Sequence, residues 1–282
     1  MYIHLKDQNP SSSFSQSIHP STRVQRRSTS GEVIMKLCLV LVLLLADAVS
    51  GSIEKRIVGS QPCKKDRQYH VQIKSVQGDK VCGGALLNTR WILTASHCAE
   101  QLVEVELGKQ LPWYKINKLS SILKQKIPKE QQFTFTEDNP HDIMLMKLNK
   151  DAPAQFPTIS YPKLECERPQ MKQVVYIGGM GSKKAGGKPE SSVKCASTEI
   201  SECGENDKPA SKYQSDESTT MCAFKPGVEA CYGDSGSAVE FDGLLHGIIV
   251  SDTRDNCANT IVMLDICHYK QWIEDTMKKE ST

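Results

Sequence analysis

Beyond residue 60 the chain alternates short apolar runs with polar stretches punctuated by Gly and Pro. Val103-Glu104-Val105-Glu106-Leu107 alternates apolar and charged positions, the period of a strand with one buried face. Gln173-Val174-Val175-Tyr176-Ile177 and Leu244-Leu245-His246-Gly247-Ile248-Ile249-Val250 are short and β-rich, and read as further strands. Trp91-Ile92-Leu93-Thr94 and Ile143-Met144-Leu145-Met146 are apolar runs of the same length class. Near the end Tyr269, Trp272, Ile273 and Met277 recur at helical spacing, which predicts a C-terminal helix packed by that face. Asp151 to Gln170 carries Pro153, Pro157, Pro162 and Pro169 and reads as an irregular connection. Lys183 to Lys188, with Gly186-Gly187, reads as an exposed loop. The pattern is that of an all-β chain closed by one short helix.

The first part of the chain follows a different pattern. Residues 1–34 are polar, with Ser11-Ser12-Ser13 and the basic residues Arg23, Arg26 and Arg27, and offer nothing that forms a core. Met35-Lys36 then opens an apolar run from Leu37 to Ala46, followed by small residues through Gly51. A positive residue, a short apolar stretch and small residues make a secretory signal over 35–51, with Met35 as the working start and 1–34 as an upstream extension. The competing reading is an uncleaved signal anchor. The run is broken by Asp47 and is short for a bilayer span.

Candidate chemistry concentrates in three places. Cys231-Tyr232-Gly233-Asp234-Ser235-Gly236 puts a serine between glycines, ahead of an apolar strand. The glycines allow a tight turn that exposes a hydroxyl, with the N–H groups of Gly233 and Ser235 aimed at one spot. Upstream, His97 follows the Trp91 run beside Cys98, and Asp142 leads the run from Ile143. Each alone reads equally as a turn serine, a buried histidine or a capping aspartate. Together, in the order His, Asp, Ser, they resemble the trypsin/chymotrypsin family of serine proteases.

That resemblance implies two six-stranded antiparallel β-barrels packed face to face, with the active site between them and Asp151–Gln170 as the link. It implies Ser235 as nucleophile, His97 as general base and then acid, and Asp142 as the group that orients His97. Gly233 and Ser235 would form the oxyanion hole. Lys55-Arg56 precedes Ile57-Val58-Gly59. In the family, cleavage after such a basic residue frees an isoleucine amino group, which pairs with the aspartate before the nucleophile, here Asp234. Residues 52–56 are then an activation propeptide and 57–282 the protease domain.

The chain holds 11 cysteines. One, Cys38, lies in the signal, and an even count remains behind it, which argues for disulfides in an oxidising compartment. Spacing alone leaves the connectivity open. Laid on the trypsin pattern, Cys63 pairs with Cys195, Cys82 with Cys98, Cys166 with Cys267, Cys203 with Cys222 and Cys231 with Cys257. One familiar trypsin bridge is replaced at both ends, by Val175 and Phe241. No C-x-x-C pair speaks for zinc. Lys109 after Leu107-Gly108 speaks against the calcium loop of some trypsins, which needs several oxygen ligands. No metal or cofactor is expected.

Lys and Arg total 35 against 33 Asp and Glu, a net charge of +2, and no nucleic-acid motif accompanies the lysines. The expected partners are protein or peptide substrates, an activating trypsin-like protease and proteinaceous inhibitors, with the mature chain a secreted monomer.

The substrate pocket departs from the family. The aspartate that selects Lys or Arg in trypsins is replaced by Glu229, still an acid, which favours a basic P1 side chain. The family's Ser-Trp-Gly wall reads Ser251-Asp252-Thr253, and a second wall glycine is replaced near Ile261. Thr253 and Ile261 would narrow the entrance, and Tyr232 stands at its rim. Two readings follow: an active secreted endopeptidase with a basic P1 preference, or a protease fold kept for binding, with an occluded pocket and weak turnover.

Overall fold

The computed structural model describes residues 60–63, 66–109, 123–136, 139–154, 156–163, 165–251 and 256–280. The upstream extension, the signal, the propeptide, Arg56, Ile57 and Thr253 lie outside the described residues.

Two antiparallel sheets carry the fold. The first is built from β2 (His70–Ser75), β3 (Val81–Leu86), β4 (Trp91–Thr94), β5 (Leu102–Glu106), β6 (Lys124–Pro128), β7 (Gln132–Thr134) and β8 (Met144–Lys147), in the order β6-β5-β2-β3-β4-β8-β7. The terminal strands of this order, β6 and β7, follow each other in sequence through the single turn Lys129–Gln131. Six runs of chain therefore wrap into a nearly closed barrel, and the seventh strand is the sixth run continued past a bend.

The second sheet holds β1 (Gln61–Pro62), β9 (Val174–Gly179), β10 (Lys194–Ser201), β11 (Thr220–Phe224), β12 (Ala238–Phe241), β13 (Leu244–Ile249) and β14 (Thr260–Asp265). Its order is β1-β10-β11-β14-β13-β12-β9, and an extra β10–β9 pairing closes it. Six strands form the barrel. The two-residue β1 is an added edge on β10, beside the Cys63–Cys195 disulfide.

The alternating strand β5 turns Val103 and Val105 inward, both fully buried, as its period demands. Val175 is buried in the second core, with Phe241 packed against it, so apolar packing stands where trypsin has a bridge. The five disulfides are Cys63–Cys195, Cys82–Cys98, Cys166–Cys267, Cys203–Cys222 and Cys231–Cys257, the pairs the resemblance implied.

Helix α1 (Ile266–Lys279) begins at Asp265, whose side chain accepts a hydrogen bond from the Cys267 N–H at 2.9 Å and caps an otherwise unpaired donor. Tyr269 and Ile273 are buried, and Trp272 and Met277 pack against the same core. The helix follows the second barrel in sequence, contacts its strand β13, and also reaches the first barrel. Phe135 makes edge contacts with Tyr269 and Trp272, and the Tyr269 hydroxyl meets His141 Nδ1 at 2.6 Å. That contact holds the segment that carries Asp142.

Arg67 ties the barrels together. Its guanidinium is buried and donates to the Ala238 carbonyl at 2.9 Å and the Tyr176 carbonyl at 2.6 Å, on two strands of the second barrel. It also donates to the Tyr69 hydroxyl and lies 3.8 Å from the Glu240 carboxylate. A buried cation is costly unless its donors are satisfied, and here several acceptors converge on it.

Candidate active site

His97 sits in a short 3-10 turn, Ser96–Cys98, directly after β4. The turn is held at both flanks: the Cys82–Cys98 disulfide ties it to β3, and Ser96 Oγ donates to the Ile143 carbonyl at 2.6 Å. Asp142, fully buried just before β8, meets His97 twice. Oδ1 accepts the His97 backbone N–H at 2.8 Å, and Oδ2 lies 2.7 Å from Nδ1. A carboxylate only accepts, so Nδ1 carries the proton in this contact and Nε2 is left as the basic nitrogen.

Ser235 lies in the turn between Cys231 and β12. Gly233 (φ +98°) and Gly236 (φ +80°) occupy the left-handed region that side chains avoid. Gly236 is pressed on the first barrel: a Cβ there would fall 2.2 Å from Thr94 Oγ1 and 2.4 Å from the Gly83 carbonyl. Backbone bonds hold the turn, with Asp234 N–H to Cys231 and Ser237 N–H to Asp234 inside it and Gly236 N–H to Ile249 of β13. Among the described residues the N–H groups of Gly233 and Ser235 donate to nothing, so two donors stay available on the Ser235 turn. Ser235 Oγ makes only a long contact, 3.5 Å, with the Ser251 carbonyl. His97 and Ser235 line one cavity of about 100 Å³.

Asp234 is buried beneath this turn. It accepts from the Gly181 N–H at 2.8 Å and the Cys231 N–H at 2.9 Å. Burial pushes its carboxyl up to about 6, against the pull of those two N–H groups. Gly179 and Gly181 make room for it: a Cβ at either would come within 2.1–2.2 Å of a carboxylate oxygen. Their part in cradling Asp234 was not visible in the sequence.

The chain matches the family model described as Trypsin over residues 57–273. It belongs to the trypsin family. It is 30% identical to human Kallikrein-2 over 85% of this chain and 97% of that one. It is 29% identical to Trypsin-1 of Salmo salar over 86% and 98%. Among solved structures, mouse neuropsin aligns over 77% of this chain and 98% of its own, with a TM-score of 0.60 and 27% identity. A mutant of human heparin binding protein aligns at a TM-score of 0.59 over 78% and 96%; at 17% identity it shows the fold alone.

Against this trypsin-family frame the expected pocket residues separate. Tyr232 and Ser251 line the cavity beside Ser235. Glu229 and Ile261 do not. Glu229 is half-buried, with a carboxylate oxygen within 4.8 Å of both sulfurs of the Cys231–Cys257 disulfide. Ile261 is fully buried in the second core with Val228, Ala230, Ile249 and Met263. Ala230 and Ala258 exchange backbone hydrogen bonds at 3.0 and 2.7 Å, drawing together the two segments that flank the disulfide. The cavity is lined instead by Lys80, Val81, Ala210 and Lys212, none of which the motifs singled out. Their contribution comes from the β2–β3 hairpin and the 203–222 loop, which no local pattern connects to Ser235.

The potential metal clusters among the described residues are Cys82, His97 and Cys98, and Glu229, Cys231 and Cys257. In both, the cysteines are joined in disulfides and offer no thiolate. A larger cavity, about 790 Å³, is lined by Arg168, Met171, Glu202, Asp216 and Met221 among others, and includes none of the candidate catalytic residues.

Proposed function

We propose that the chain is a secreted serine endopeptidase, made as a zymogen cut after Arg56, that hydrolyses peptide bonds through an acyl-enzyme on Ser235. The observation that carries this reading is the pair His97 Nδ1–Asp142 Oδ2 at 2.7 Å beside Ser235, which leaves a basic nitrogen and a hydroxyl held only by a long contact on one cavity. Ser235 Oγ attacks the substrate carbonyl and gives its proton to His97 Nε2. The resulting imidazolium is stabilised by Asp142. The Gly233 and Ser235 N–H groups stabilise the oxyanion. His97 then protonates the leaving amine, and water, activated by the same base, releases the acyl group. Side chains and water suffice.

For P1, Glu229 suggests a basic residue, while the described lining of the cavity beside Ser235 supports a small uncharged one. The cavity is about 100 Å³, and Lys80 and Lys212 border it while Glu229 does not. The test is a peptide library varied at P1, using the chain cut after Arg56 and an S235A control. Serine-dependent cleavage after small residues is expected. Cleavage after Lys or Arg would restore Glu229 as the anchor. No cleavage, with Ser235 labelled by a small fluorophosphonate, would favour a trypsin-fold binding protein with an occluded pocket, the reading that the cavity's small volume keeps open.

Zymogen activation predicts a pH effect at Asp234. Its carboxyl, raised from 3.8 to about 6 by burial, holds a proton in the folded uncut chain that the unfolded chain has released. That contribution to stability is full below pH 3.8 and is lost as pH rises through 6, about 3 kcal/mol in all. Cutting after Arg56 supplies the Ile57 ammonium as a partner and should remove the loss. Urea unfolding at pH 4 and pH 7 of the uncut chain, the cut chain and Asp234→Asn checks this. Parallel pH dependence in all three would refute it.

A further inference from the structure

We propose that Tyr232 is a gate that decides how far a substrate may extend along β3, by occupying the strand edge on which an extended peptide would pair. The proposal rests on the serine-peptidase reading of the same site.

β3 pairs with β2 along its whole length, from Lys74↔Val81 to His70↔Ala85. On its other side it pairs with β4 only at Ala85 and Leu86. Residues 81–84 therefore have no strand partner on the side toward the turn that bears Ser235, and the Gly83 carbonyl there accepts from Thr94 Oγ1 at 2.7 Å. Edge strands are templates: an extended peptide docks on one by backbone hydrogen bonds, wherever the edge donors and acceptors are free. Here they are taken by the nucleophile turn itself. Gly83 N–H donates to the Ser235 carbonyl at 2.7 Å. Val81 N–H donates to the Tyr232 hydroxyl at 3.0 Å, and that hydroxyl in turn donates to the Asp79 carbonyl.

One phenol thus accepts from Val81, the first residue of β3, and donates to Asp79 two residues before the strand, bridging the chain where a docked peptide would add its own backbone bonds. It does so across the cleft, from the second barrel to the first, while lining the cavity with His97 and Ser235. Partial burial raises the phenol's pKa, so it stays protonated and able to donate at neutral pH. A substrate that runs along β3 must break both contacts. A substrate that stops short of β3 need not. The wild-type protein is therefore selective for substrates that are short on that side.

The test uses the full chain cut after Arg56, a small p-nitrophenyl ester, and a matched peptide series lengthened residue by residue on either side of the scissile bond. Tyr232→Phe keeps the ring and removes the hydroxyl; Tyr232→Leu removes both ring and hydroxyl and stays apolar. On one side of the bond, lengthening is expected to raise kcat/KM about 10-fold more in both variants than in the wild type, the scale of hydrogen bonds no longer in competition. Lengthening on the other side should act equally in all three. If the length profiles coincide while the ester is turned over by Ser235, the gate is refuted and the peptidase reading stands. Equal gains on both sides would refute it as general loosening. If no ester turnover depends on Ser235, the peptidase reading fails and the gate with it.

Discussion

Ser235→Ala is expected to lower kcat by about 10⁵- to 10⁶-fold, on whichever substrate the cut chain accepts. The proposed role sets the size of the loss: a hydroxyl that forms the covalent intermediate leaves His97 and Asp142 with nothing to activate once it is removed. Folding should survive. The hydroxyl's described contact is a 3.5 Å approach to the Ser251 carbonyl, and the bond that docks the turn on β3 uses the Ser235 carbonyl, which alanine keeps. Stability should change by less than about 0.5 kcal/mol. Asp142→Asn should cost about 10⁴-fold, because an amide no longer demands the Nδ1 proton and frees the wrong tautomer of His97. The check is burst and steady-state kinetics with an active-site titrant, with a melting curve on each variant. S235A retaining more than about 1% of activity would remove Ser235 as nucleophile.

The second large effect concerns stability in acid. His70 is fully buried on β2, and burial together with the Arg67 cation pushes its imidazole down from 6.5 to about 3. Its Nε2 has no hydrogen-bond partner among the described residues, so no acceptor there stabilises a charged ring. The folded chain therefore keeps His70 neutral, while the unfolded chain protonates it below pH 6.5. The unfolded state binds more protons across that window. The stability from this group is full above pH 6.5 and is lost as pH falls toward 3, about 5 kcal/mol in all and about 3 kcal/mol by pH 4.

Asp234 titrates with the opposite sign between 3.8 and 6, so the two partly cancel in the uncut wild-type chain. His70→Gln removes one arm. Denaturant unfolding at pH 7 and pH 4 should show the variant losing about 3 kcal/mol less than the wild type over that interval. Equal losses would mean that His70 is charged in the folded state.

Strand and helix positions were legible because burial imposes a period on the chain. Val103 and Val105 alternate with glutamates because one face of β5 is wet, and Tyr269 and Ile273 fall four apart because α1 buries one stripe. Chemistry was legible where a motif is also a geometry. The glycines at 233 and 236 had to be glycines for the turn they make, and His97 and Asp142 each sit at the end of an apolar run that becomes a central strand. Such features are local, and a local sequence contains them.

What the sequence could not settle is where a side chain faces once two barrels meet. Glu229 was expected at the family's specificity position, and its carboxylate lies by the Cys231–Cys257 disulfide. That outcome depends on Ile261 and Ala230 filling the second core and on the hydrogen bonds between Ala230 and Ala258. Tyr232 finds Val81 at a separation of 151 residues, and Arg67 finds Ala238 at 171. The chain by itself determined its family, its strand-rich order, the glycine-flanked turn of Ser235, the apolar runs beside His97 and Asp142, and the cysteines available to pair. The tertiary structure alone decided the size and lining of the cavity, the closure of the β3 edge and the environments that shift His70 and Asp234. Periodicity and turn chemistry act between near neighbours, whereas desolvation and cross-barrel hydrogen bonds exist only after distant segments have packed.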